Sequence, residues 1–137
     1  MIRSITHPGI ADGSLIAFPR QATPYVLLAV TFSYTAAPGN NPVPMLTWGY
    51  GGVSTVAESY APEVTTLTQR LGHTFAIGAA DFQKALSGGS SVSTSRIPRI
   101  ICTPEITLSL GALDANVGDA MENVHWLIDD EPVLRIS

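Results

Sequence analysis

The chain has 137 residues, 45% of them hydrophobic, enough for one domain with a real core and too few for two. Charged residues make up 13%, against a usual share of about 25%, and the net charge is -4. Lys84 is the only lysine and the arginines (Arg3, Arg20, Arg70, Arg96, Arg99 and Arg135) are scattered, which excludes the phosphate-neutralising clusters of a nucleic-acid binder.

Residues 1–24 carry Pro8, Gly9, Gly13, Pro19 and Pro24 around a short apolar patch at 15–18, and are expected to form an extended N-terminal arm with at most one edge strand. This stretch lacks the apolar segment of a signal peptide, and no run approaches the roughly 18 apolar residues of a spanning helix. The expectation is a protein made in the cytoplasm, not secreted and without a membrane partner. Cys102, the only cysteine, permits no intrachain disulfide and reads as a small core residue.

The β-sandwich domain is expected over 25–137, organised on residues 25–50. Val26, Leu28, Val30, Phe32 and Tyr34 recur at every second position, the period of a strand with one face on a core. A Pro- and Asn-rich break at 35–44 follows, then a strand in which Leu46, Trp48 and Tyr50 alternate with Met45, Thr47 and Gly49. Gly51 and Gly52 suit a hairpin connection because glycine accepts positive φ. Weaker strands are predicted over 53–60, 64–69 and 72–78, the last with His73, Phe75 and Ile77 on one face. The pattern at 79–86 predicts one or two helical turns, and LSGGSSVSTS (86–95) predicts an exposed, mobile loop.

The last third predicts a central strand at 97–103 and an alternating one at 105–110, built on Ile106, Leu108 and Leu110. A polar loop at 111–119 leads to a final strand at 120–130 with Val124, Trp126 and Ile128 inward. About eight short strands near ten residues apart give an all-β fold: an antiparallel two-sheet β-sandwich, jelly-roll-like.

Candidate chemistry is sparse, and no catalytic, cofactor-binding or metal-ligating residue is assigned. His7, His73 and His125 lack any ligand spacing and read as surface or sheet-face residues. Asp129, Asp130 and Glu131, with Asp119 and Glu122 a strand length away, have the composition of a calcium site but fit a solvated strand end better. Ser90 and Ser91 follow two glycines without the elbow that exposes a catalytic serine. The pair Glu58 and Glu63 awaits geometry, and GYGG (49–52) lacks the lysine of a phosphate loop. Trp48 and Trp126 are in phase with apolar neighbours and read as core. Tyr50 and Tyr60 flank a turn and leave a lectin-like platform open.

Taken together, LLAVTFSY (27–34), PGNN with PVPMLTW (38–48), FAIG (75–78) and VGDAMENVHWLIDDEP (117–132) resemble small structural proteins of tailed-bacteriophage virions. The likeness spans about residues 25–132 and leaves 1–24 uncovered. It implies a jelly-roll-like sandwich acting as a non-enzymatic capsid cement or decoration protein on the capsid exterior. Its partners would be the major capsid protein and further copies of itself, with no cofactor. A head- or tail-fibre component, or a carbohydrate-binding module, is the alternative. Contacts are expected from residues 1–24 and from the loops at 35–44 and 86–95.

Overall fold

The computed structural model describes residues 1–7, 10–11, 15–37, 41–51, 54–65, 70–115 and 118–131. These contain twelve strands and no helix, arranged as a two-sheet β-sandwich. The larger sheet has the order β1 (Ile2–His7), β12 (Ala120–Asp129), β4 (Tyr25–Thr35), β7 (Arg70–Ile77), β9 (Ser90–Ile97) and β8 (Phe82–Leu86). Two short strands join it, β2 (Ile10–Ala11) on β12 and β10 (Ile101–Cys102) on β4. The smaller sheet has the order β3 (Ile16–Ala17), β11 (Ile106–Leu113), β5 (Val43–Tyr50) and β6 (Ser54–Tyr60). Pairing is antiparallel throughout except between β7 and β9, which run parallel because β8 carries the chain back along the outside of the sheet.

The core is set by side-chain alternation interrupted by bulges. On β12, Trp126 and Ile128 are fully buried, as their phase predicts, and so are Val124 and Met121. Residues 121 and 124 can share a face because an extra residue intervenes: pairing with β4 slips between Glu122 and His125, and Asn123 takes φ 56°, the left-handed conformation that asparagine tolerates. A second slip lies opposite Leu127 and Ile128, where β4 carries the extra residue Leu28. Val30, Phe32 and Tyr34 therefore face inward on one side of it, and Leu27 and Tyr25 on the other. Leu28, expected in the core, is only half-buried, and Leu27 takes its place. Leu46, Trp48, Leu108 and Leu110 close the core from the smaller sheet, with Ile106 partly buried at its margin.

Residues 1–24 are, in their described parts, built into both sheets rather than extended away from them. β1 pairs along its whole length with β12, and β3 pairs with β11. Ile16 and Phe18 are buried, and the Phe18 ring lies 5.1 Å from Trp126 and 5.2 Å from Tyr25. The N–H of Phe18 donates to the carbonyl of Leu108, which ties the segment to the smaller sheet.

Several local expectations are corrected. Residues 82–86 form strand β8 and not helical turns, and 90–97 form β9, an interior strand rather than a mobile loop. Positions 91, 93 and 95 are serines with buried side chains on the inner face, so the stretch lacks the apolar alternation that would announce a strand. The expected strand over 97–103 is broken: Ile97 ends β9, and the only later pairing is at β10. Residues 61–65 are not a strand, though Val64 is buried and its N–H donates to the carbonyl of Pro42; 66–69 lie outside the described residues. The expected loop at 111–119 begins later, because β11 continues to Leu113. The hairpin between β5 and β6 is present, with Tyr50 opposite Ser54 and Gly51 at φ 62°.

Candidate functional site

The smaller sheet is narrower than the larger, and the difference creates the most distinctive surface. β6, the last strand of the smaller sheet, packs against β9, so β8 lies beyond the cover it provides. All five residues of β8 are exposed, Phe82 by 53% and Leu86 by 45%. One side of β8 pairs with β9, and the other is an open sheet edge among the described residues. An uncovered edge with apolar side chains is a template for an incoming strand.

The two faces of this edge differ. Phe82, Lys84 and Leu86 pair with Thr94, Val92 and Ser90, and Val92 is itself exposed, so these residues form an outer face. Gln83 and Ala85 pair with Ser93 and Ser91 on the inner side. Between this edge and the end of β6 lies an open cleft of about 420 Å³ lined by Tyr60, Pro62, Asp81, Phe82, Gln83 and Ser95. Asp81 accepts a hydrogen bond from the Arg96 backbone N–H at 3.2 Å, and Ser95 donates to the Tyr60 carbonyl at 3.2 Å. Tyr60 is exposed, and its hydroxyl donates to Glu58 two residues earlier. That bond to the carboxylate raises the pKa of the phenol.

A second cleft, of about 370 Å³, lies at the far end of β5. Exposed Tyr50, Arg20 and Glu105 line it together with half-buried Gln21, with Tyr25 and Phe18 in its floor. A hydrogen bond from the Thr103 side chain, a bond from backbone and the nearby Arg20 charge hold the Glu105 carboxyl below its usual range.

The sequence candidates are dispersed. His125 is exposed on the outer face of β12, whereas His73 is buried on the inner face of β7, the sheet-face alternative of its two readings. His73 Nδ1 lies 2.5 Å from Ser93 Oγ, and its ring meets Phe75 edge-on at 4.4 Å. Burial lowers its pKa to about 4, against a smaller raising effect from Asp81. Ser91 is buried in β9 and Ser90 stands at its start; Glu63 is exposed in the irregular stretch after β6. Asp129, Asp130 and Glu131 surround the Met1 ammonium at 3.6, 3.1 and 3.2 Å, and Arg3 Nε reaches Asp130 at 3.0 Å. Asp119 is buried and accepts from the Ala37 N–H at 2.6 Å. Among the described residues, no three His, Cys, Asp or Glu side chains converge as a metal site would require.

Trp48 and Trp126 are fully buried, so neither forms a sugar platform, while Tyr50 and Tyr60 line separate clefts. Sequence reasoning missed the β8 edge and the grouping of Arg20 with Glu105. The alternation of Phe82, Lys84 and Leu86 was the available signal for the first. Contacts between residues 85 positions apart leave none for the second. Comparison with protein-family models, curated proteins and solved structures finds no match to this chain.

Proposed function

We propose that this protein is a non-enzymatic structural component of a bacteriophage virion, a cement or decoration protein that binds the outer capsid surface and bridges joints between major capsid protein subunits. The observation that carries this reading is the exposed edge strand β8, with Phe82 and Leu86 on an uncovered sheet edge, which suits a protein that self-associates as it covers the shell. Backbone pairing at such an edge gives affinity, and the alternating side chains give register. The low charge of the chain, 13% of residues, suits a surface covered by neighbours, because burying unpaired charge is costly. Weak individual contacts suffice, since each attachment to the shell raises the effective concentration for the next.

Docking by a sheet edge replaces the reaching arm that residues 1–24 suggested, because β1 and β3 are already engaged within the fold. Purified particles test the reading through the copy number of this chain and its position on the particle. Hundreds of copies over the shell are expected; a dozen or fewer at a vertex or tail indicate a fibre component, and absence from particles refutes both. The cleft at Tyr50 favours a second reading, a carbohydrate-binding module, because an exposed aromatic face beside Arg20, Gln21 and Glu105 has the chemistry that binds sugars. A reproducible glycan-array signal lost in Tyr50→Ala would establish it.

A further inference from the structure

We infer that the occupant of the β8 edge is a second copy of this chain, which pairs its β6 edge with β8 through an ion pair between Lys84 and Glu58. This inference rests on the self-association within the proposed structural role and names the surfaces that carry it. β6 is also an open edge, the last strand of the smaller sheet among the described residues. Ala57 and Ser59 pair with Trp48 and Leu46 toward the core, whereas Glu58 and Tyr60 pair with Thr47 and Met45 and face outward. Val56, the extra residue where β6 slips against β5, is 49% exposed.

The two edges thus present complementary rows. On β8, Lys84 is flanked by exposed Phe82 and Leu86; on β6, Glu58 is flanked by exposed Val56 and Tyr60. The Tyr60 hydroxyl bonds to the Glu58 carboxylate and holds it on this outer face. Like charges directly opposite each other on paired strands are destabilising. Pairing β8 with β8 centred on the lysine opposes two lysines, and pairing β6 with β6 centred on Glu58 opposes two glutamates. Only the crossed pairing brings opposite charges together with apolar side chains on both sides.

Strand sense follows from the topology. β8 runs with β4, because β8 is antiparallel to β9, β9 is parallel to β7, and β7 is antiparallel to β4. β5 starts at the end of the sandwich where β4 finishes, since Leu113 pairs with Val43 there and Asp119 bonds to Ala37. β5 therefore runs against β4, and β6, antiparallel to β5, runs with it. Two such edges from opposite sheets join with their outer faces on one side only as a parallel pair. Lys84 then faces Glu58, Leu86 faces Tyr60, and Phe82 faces Val56. The operator relating the two copies is a half-turn about an axis along the strands, because it reverses both the open-edge direction and the outer-face direction; β6 and β8 lie on the same flank of the sandwich, so the contact is compatible with a dimer.

Because Lys84 is the only lysine, zero-length carbodiimide coupling of side-chain amines to carboxylates reports on it alone. An equal mixture of isotopically light and heavy protein should yield a Lys84–Glu58 cross-link of mixed mass. Light scattering over a concentration series should show masses above the monomer for the parent. Lys84→Glu and Glu58→Lys, both at exposed sites and checked for folding by circular dichroism, should each shift the association midpoint by at least about tenfold, the scale of losing a close charge pair. Combining the two restores an opposite-charge pair and should recover association. A monomeric parent, single variants that associate normally, a combination that fails to recover, or coupling of Lys84 only to a different protein on particles overturns the inference. Copy number on particles is measured separately, so a monomer found on shells overturns the self-pairing and leaves the structural role standing.

Discussion

Acid should destabilise this sandwich through His73. The side chain is 1% exposed, its Nδ1 is engaged with Ser93, and Nε2 has no hydrogen-bond partner among the described residues. Protonation would place a charge against Phe32 and Phe75 and add a donor without an acceptor, and burial accordingly lowers the pKa from 6.5 to about 4, with Asp81 opposing more weakly. The unfolded chain takes up its proton near pH 6.5 and the folded chain only near 4. The stability linked to His73 is thus fully present above 6.5 and is lost as pH falls from 6.5 toward 4. At about 1.4 kcal/mol per pH unit, that interval is worth about 3 kcal/mol, a large share of the 5–15 kcal/mol typical of a domain. Urea denaturation of the parent and of His73→Gln, each between pH 8 and 4, isolates the effect because the carboxylates titrate in both. The stability difference between the two should shrink by about 3 kcal/mol across this range. Parallel stability curves would refute the assignment of a buried, neutral His73.

Trp126→Ala should lower unfolding stability by about 3–5 kcal/mol in urea, the cost of deleting a fully buried aromatic; an unchanged midpoint would mean the inward phase of β12 is wrong. Phe18→Ala, measured the same way, should also cost about 3–5 kcal/mol because its ring packs on Trp126 and Tyr25, and a neutral result would return residues 1–24 to the status of a detached arm. Cys102 is fully buried and burial pushes its thiol up to about 11. It should resist a thiol reagent at pH 8 until denaturant is added, and prompt labelling of the native protein would contradict its place in the core.

The all-β sandwich was legible because Val30, Phe32, Leu46, Trp48, Leu108, Trp126 and Ile128 keep a period of two wherever the strands are regular. The errors fall where that period breaks for local reasons. Leu28 and Asn123 are extra residues at bulges, and one inserted residue exchanges inward and outward positions on everything beyond it. β9 was hidden because its inner face is made of serines, two of which replace apolar contact with hydrogen bonds, Ser93 to His73 and Ser95 to the Tyr60 carbonyl. β8 was hidden for the opposite reason: neither of its faces is buried, so burial imposes no pattern on it. The spacing of Phe82, Lys84 and Leu86 could signal a strand there but not an edge, since an edge is defined by which strands lie beside it, and only the tertiary structure places β6 short of β8. In the Tyr50 cleft, Arg20 and Glu105 are brought together by the folding of distant segments.

Amide hydrogen exchange tests the docking strand most directly. The backbone N–H groups of β8 that point away from β9 exchange freely in an isolated copy and gain partners when another strand is added. In concentrated, assembled protein, exchange over Phe82–Leu86 and at residues 58–60 should slow by at least about tenfold relative to Lys84→Glu under the same conditions, with the core strands β4 and β12 unchanged. Equal exchange at β8 in the two samples would contradict the account.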